Sequence, residues 1–135
     1  MLRLHSHPVV PTEQLFTAEQ ILDIQWHVAY VHGEDTLLEY IIDLAEASRN
    51  HPDLALGASP RAALCLLRCS RARAMLDGRY YFTHEDVQAV APAVLAHRLI
   101  VRPEAEVEGK QSLDVVRELL ETVPVLETGP RKSRV

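Results

Sequence analysis

Residues 54–78 read LALGASPRAALCLLRCSRARAMLDG, and the fold turns on this stretch. Leu54-Ala55-Leu56 is a short apolar segment, and Gly57-Ala58-Ser59-Pro60 after it carries the signals of a helix start. Gly57 permits a sharp turn. Ser59 supplies the side-chain oxygen of an N-cap, and Pro60 suits the first helical position, where its fixed φ fits and its missing N–H is not needed. The helix predicted from Pro60 to about Leu76 is apolar on more than one face, through Ala62, Ala63, Leu64, Cys65, Leu66, Leu67 and Cys69. That pattern predicts the central and most buried helix. Asp77-Gly78 ends it, with Gly78 placed for the left-handed C′ position.

Working outward, Thr17-Ala18-Glu19-Gln20 has the capping-box spacing and opens a helix bearing Ile21, Leu22, Gln25 and Val28 on one face. A second helix is predicted over about Glu34 to Asn50, with a stripe of Leu37, Leu38, Ile41, Ile42 and Ala45. Its acids, Glu34 and Asp35, sit in the first turn and Arg49 in the last, as the helix dipole prefers. Downstream, Arg79-Tyr80-Tyr81-Phe82 is read as a short strand pairing with Leu54–Leu56. Thr83 through Asp86 caps a further helix carrying Val87, Val90, Ala91, Val94 and Leu95, which Pro92 is expected to kink or divide. Residues 98–111 look irregular, and Ser112 caps a last helix with Leu113, Val116, Leu119 and Leu120. The fold class is therefore mainly α: a small helical bundle with at most one short two-stranded β pairing. Residues 1–16, held extended by Pro8 and Pro11, form an N-terminal arm. Residues 17–125 form the helical domain, and 126–135 form a flexible tail.

Bulk properties agree. The chain has 135 residues, 14 Lys plus Arg against 19 Asp plus Glu, and a net charge of −5. A length of this order buries one core without metal or disulfide staples. An acidic balance argues against a dedicated nucleic-acid binder, which needs a basic surface. No apolar run is long enough for a membrane span, and the start has no secretory h-region. Cytoplasmic residence follows as the expectation.

The residue that carries chemistry is Arg61. It is the only charge between Leu54 and Leu67 and sits at the second position of its helix, where a cation opposes the dipole at a cost of a few tenths to about 1 kcal/mol. The same helix end offers free amides to an anion, and a guanidinium binds phosphate oxygens in a bidentate fork. The alternative is a surface arginine paired with a nearby carboxylate. Arg68, Arg71 and Arg73 form a basic stripe read as a solvated face, and Arg79 and Arg98 are read as structural, pairing with carboxylates such as Glu85 or Asp86. Cys65 and Cys69, four apart on one helix, cannot approach as a disulfide needs and act as small hydrophobes. The histidines are scattered, and His5 and His7 on a flexible arm offer no fixed metal geometry. No metal site is expected.

The stretch from His51 to Leu99 closely resembles the C-terminal lid of MoxR-type AAA+ ATPases. The landmarks are Gly57-Ala58-Ser59-Pro60-Arg61-Ala62, then Ala72-Arg73-Ala74, Gly78-Arg79, Thr83 with Asp86-Val87, and Val94-Leu95-Ala96-His97-Arg98. The resemblance extends from about Pro8 to Val125. Magnesium-chelatase subunits share the lid pattern, but GASPRA favours MoxR. The resemblance implies a helical AAA+ lid packed beside a nucleotide-binding core, with 1–16 as the linker from that core. It implies that Arg61 is the sensor 2 residue approaching the terminal phosphates of ATP, with Ser59, Pro60 and Ala62 as neighbours of the nucleotide. ATP and Mg²⁺ belong to the full-length protein. The implied partners are the chain's own core, neighbouring subunits of a hexameric ring, and a von Willebrand A-domain protein, in a chaperone-like maturation of client complexes.

The phosphate loop GxxxxGK[ST] is not present in these residues, since Gly109-Lys110 is followed by Gln111. The expectation is a fragment that begins just after the core, carries no complete catalytic site, binds no cofactor alone and is inactive alone. A freestanding helical protein-interaction module derived from such a lid is the alternative reading. A helix-turn-helix DNA binder is a third, disfavoured by charge and by the apolar central helix.

Overall fold

A computed structural model describes residues 13–125, and the calls on Pro8, Pro11, His5, His7 and the tail 126–135 lie outside the described residues. In chain order the elements are α1 (Ala18–Ala29), α2 (Asp35–Arg49), β1 (Leu54–Leu56), α3 (Pro60–Leu76), α4 (His84–Leu95), β2 (Ile100–Val101), α5 (Pro103–Val107) and α6 (Ser112–Thr122), with a single 3-10 turn at Ala96–Arg98. The fold is mainly α with one two-stranded antiparallel pairing.

The helix starts form for local reasons. The Thr17 hydroxyl accepts from the Gln20 amide at 3.2 Å, while the Gln20 side chain accepts from the Thr17 amide at 2.8 Å. Gly78, at φ +74°, closes α3: its N–H reaches the Met75 carbonyl, and the Arg79 N–H reaches the Ala74 carbonyl, both at 2.9 Å. That double bond is the Schellman termination, which glycine adopts without strain.

α3 packs against α4, α2 and α1, and α6 closes over α4 and α2. Tyr40, Leu44, Leu66, Phe82, Val87, Leu95, Val115 and Val116 are the large residues sealed inside. α3 is central in its contacts but is not the most buried helix. It fully buries only Ala62, Leu66, Ser70 and Ala74, whereas α2 and α4 each bury five residues. The buried row is one ridge at four-residue spacing, small except for Leu66, and α4 packs closely along α3. Leu64 and Leu76 instead face out.

Four further expectations are corrected. β1 pairs with β2, Leu54 opposite Val101 and Leu56 opposite Ile100, not with residues 79–82. Phe82 turns into the core and Tyr81 makes only a lone parallel bridge with His32, so that aromatic segment serves packing. Residues 98–111 are structured by β2 and α5, whose start is marked by Pro103 and whose end by Gly109 at φ +89°. Pro92 does not divide α4, which runs unbroken through to Leu95. A proline there removes one intrahelical bond, and burial of Ala91, Val94 and Leu95 on either side holds the remaining turn. Finally, Gln111 and not Ser112 is the N-cap of α6; its amide donates to the Asp114 carboxylate at 3.0 Å.

The α3–α4 corner is tied by one carboxylate. Asp86, 2% exposed, accepts from both Arg79 terminal nitrogens at 2.8 and 2.7 Å, from the Thr83 amide at 2.8 Å, and lies 3.5 Å from Arg73 Nε. The Arg79 guanidinium, aided by the Thr83 amide, holds its carboxyl below the ordinary value against the opposing effect of burial. Arg79 is thus structural, as the sequence suggests. A depressed folded-state pKa gives stability that is present above the unfolded value of about 3.9 and is lost as pH falls through the folded one. Asp86→Asn should destabilise the chain at neutral pH by about 2–3 kcal/mol, below the cost of a fully dry pair because Arg79 retains access to water. It should also flatten the fall in melting temperature between about pH 5 and pH 2. Acid unfolding curves of the two proteins check both; superimposable slopes would remove Asp86 from this role.

Candidate functional site

The loop that launches α3 is clamped to the end of α2. Ser48, fully buried, accepts from the Ala58 amide at 2.8 Å and donates to the Ala45 carbonyl at 2.7 Å. Arg49 Nη1 donates to the Ala58 carbonyl at 3.4 Å. Gly57 lies so close to α2 that a Cβ there would sit 2.5 Å from both Arg49 N and Arg49 Cα. Its backbone is not in the left-handed region, since among the described residues only Gly78 and Gly109 have positive φ. The position requires glycine for close backbone approach rather than for a left-handed conformation.

The clamp fixes the N-terminus of α3. Ser59 caps it, its hydroxyl accepting from the Ala62 amide at 3.3 Å. Pro60 occupies N1 and has no N–H, and Ala62 is fully buried. The Arg61 amide donates to no acceptor among the described residues. Arg61 itself is exposed, with no hydrogen bond or ion pair from its side chain among those residues. The carboxylate-paired alternative for Arg61 is thus not what the structure contains.

Arg61 lines a pocket of about 350 Å³ together with Arg49, Arg98, Ser59 and Pro60. Ala62 is not among its lining. β1–β2 pairing explains the convergence: Leu56 lies opposite Ile100, which brings Arg98, two residues earlier, beside the turn that follows Leu56. Arg98 is half-buried, donating to the Val94 carbonyl and to Cys65 Sγ at 3.7 Å, and it meets the neighbouring His97 ring. The carboxylate partner expected for Arg98 is not there. Among the described residues no carboxylate pairs with Arg49, Arg61 or Arg98. Next to this basic pocket an apolar groove of about 490 Å³ runs between α2 and α3, lined by Leu38, Ile42, Leu64 and Leu67 and ending at Arg49 and Pro60.

The other sequence candidates separate. Arg68 is exposed and solvated, Arg73 is drawn to Asp86, and Arg71 is half-buried with an Nε that has no partner. Cys65 and Cys69 are free and half-buried, and burial beside Cys65 pushes the Cys69 thiol up. One cluster had no sequence signal: His51, Asp53 and Glu118 come within ligand distance of one another. Lys110 already lies 3.3 Å from Asp53 and against Glu118, and these carboxylates push its pKa up. The lysine supplies the positive charge that this cluster calls for.

Comparison with known proteins follows the same residues. The AAA lid domain family matches residues 46–119. The uncharacterized protein YeaC of Bacillus subtilis is 36% identical over 92% of this chain and 39% of its own length. Protein MoxR of Methylorubrum extorquens is 39% identical over 71% of this chain and 29% of its own length. Chaperone MoxR1 of Mycobacterium tuberculosis is 30% identical over 82% of this chain and 32% of its own length. The chain thus spans between 29% and 39% of these relatives. A crystal structure from Cytophaga hutchinsonii, assigned as an ATPase, superposes with a TM-score of 0.77 at 31% identity, covering 81% of this chain and 36% of that one.

The clamp orders the stabilities of three variants. Ser59→Ala should cost about 1 kcal/mol, the usual worth of an N-cap. Ser48→Ala strands the buried Ala58 amide and should cost about 1–3 kcal/mol. Gly57→Ala drives a methyl group into backbone and should exceed both. Urea denaturation midpoints check the order; a Gly57→Ala protein as stable as wild type would show that α2 and the loop are not in forced contact.

Proposed function

Because this chain belongs to the AAA lid domain family, as the lid region of a MoxR-type AAA+ ATPase, we propose that it is the nucleotide-sensing lid of such a machine and that Arg61 is its sensor 2 residue. One observation carries the reading: Arg61 stands at the start of α3 with its guanidinium and its own amide both unengaged among the described residues. An arginine that no carboxylate restrains, on a rigidly clamped helix end, is prepared for an anion brought by another module.

In this reading the ATPase core holds ATP and Mg²⁺, and the lid closes so that Arg61 approaches the terminal phosphates, with Ser59 and Pro60 beside them. Ala62 contributes by seating the helix end in the core. A positioned guanidinium acts on phosphoryl transfer by stabilising charge on the phosphate oxygens in a site of low dielectric. Closure and release as nucleotide turns over move the lid against its own core and the neighbouring subunits of a ring, taken as a hexamer. That motion would drive the chaperone-like maturation of a client complex, with a von Willebrand A-domain protein as a partner. A cytoplasmic setting fits this reading, and no helix among the described residues is long and apolar enough to cross a membrane.

The surface of α1 supports a large protein contact. None of its residues is buried, and Leu22, Trp26 and Tyr30 are each more than 60% exposed. Such an apolar face marks an interaction site. In the lid reading it meets the core or the next subunit; in the alternative, a freestanding interaction module, it meets another protein. A phosphate loop encoded upstream in the same reading frame separates the two.

The direct test is turnover. In the intact ATPase, Arg61→Ala should lower kcat about 100- to 1000-fold, in the range seen when one charge-stabilising donor is removed. The circular dichroism spectrum and melting temperature should stay at wild-type values, because Arg61 makes no contact that holds the lid together. Undiminished turnover in this variant would end the sensor assignment.

A further inference from the structure

We propose that Arg49 and Arg98 join Arg61 in a three-arginine cradle for a polyphosphate, so that the lid recognises the phosphate chain through three guanidinium groups from three separate elements. The proposal rests on the sensor reading of Arg61 and extends it to residues on the end of α2 and before β2. The three side chains line one pocket without an acidic residue in its wall. None has a carboxylate partner among the described residues. Elsewhere among the described residues Arg73, Arg79, Lys110 and Arg117 each face a carboxylate, while Arg68, Arg71 and Arg102 do not; what sets Arg49, Arg61 and Arg98 apart is that they share one pocket. Arginine stays protonated at any pH at which the protein folds, so three of them around one concavity repel one another until an anion enters.

Two of the three are already positioned. Arg49 spends a donor on the Ala58 carbonyl, and Arg98 spends donors on the Val94 carbonyl, the His97 ring and Cys65 Sγ. A guanidinium has five N–H donors, so each keeps others for a ligand. A lone carboxylate of a partner protein would satisfy one arginine and leave two bare. A triphosphate carries charge and oxygens enough for all three, and the unengaged Arg61 amide adds a fourth donor.

The test titrates the 135-residue chain with inorganic tripolyphosphate, reading amide shifts by NMR and affinity by calorimetry at low salt. Saturable binding should move the amides of Gly57 and Arg61. Arg49→Gln and Arg98→Gln should each weaken it about 5- to 20-fold, and Arg98→Lys should recover only part of the loss because an ammonium lacks the fork. Arg68→Gln, on the same helix but outside the pocket, should bind within about twofold of wild type. Melting curves confirm that each variant is folded. Absence of saturable binding, or equal affinity for Arg49→Gln, Arg98→Gln and Arg68→Gln, would overturn the cradle, as would preference for an acidic peptide over tripolyphosphate. The two readings fail separately. If only Arg61→Gln weakens binding, the cradle falls and the sensor stands; if all three weaken it while Arg61→Ala turns over ATP normally in the intact enzyme, the sensor falls and the cradle stands.

Discussion

Backbone pressed on backbone, where Gly57 lies against the last turn of α2, is the contact from which the rest of the site follows. There is no room for a single methyl group at that point. The approach brings the Ala58 amide onto the buried Ser48 hydroxyl, and this in turn aims the Ser59 cap and the first turn of α3. Without it the β1–α3 loop would have no unique position relative to α2. A buried, satisfied hydroxyl is the right partner here because an unpaired amide in that place is costly.

The two ends of α3 then serve opposite purposes. At the C-terminal end a Schellman termination and the Asp86 carboxylate, gripped by Arg79 and approached by Arg73, fasten the helix to α4. Charges there are matched. At the N-terminal end, among the described residues, three arginines share a pocket with no acid, and an amide is left open. A helix anchored at one end can hold unbalanced charge at the other without losing its place. That asymmetry links packing to function, since strain or repulsion tolerated at one site must be supported by the surrounding structure.

Much of this was legible in the sequence, and the parts that were not share a cause. The caps at Thr17 and Ser59, the termination at Gly78 and the span of α2 follow from neighbours within four residues of one another. Local hydrogen bonding decides them. The β1–β2 pairing depends on which of two short apolar segments meets Leu54–Leu56, and short strands carry no partner information of their own. The aromatic run 80–82 looked the better strand, yet Phe82 was needed in the core. α5 escaped notice because five residues are too few for periodicity, although Pro103 and Gly109 bracket it. Ser112 was an attractive cap, but Gln111 with Asp114 three residues later made the box.

Arg49 and Arg98 show the limit most clearly. At the end of α2 an arginine is what the helix dipole favours, and nothing in its spacing points to a second duty. Arg98 follows a proline-containing helix by three residues and, although it belongs to a family landmark, reads as a structural partner of a carboxylate. Only the antiparallel register of Leu56 with Ile100 brings the two together with Arg61. The same geometry explains how a chain of net charge −5 holds a strongly positive concavity. Summed charge governs solubility and long-range steering, whereas a bound anion answers to the few groups within reach of it. An acidic composition therefore argues against a broad nucleic-acid surface and says nothing against a small phosphate site, provided the fold gathers its cations from distant positions.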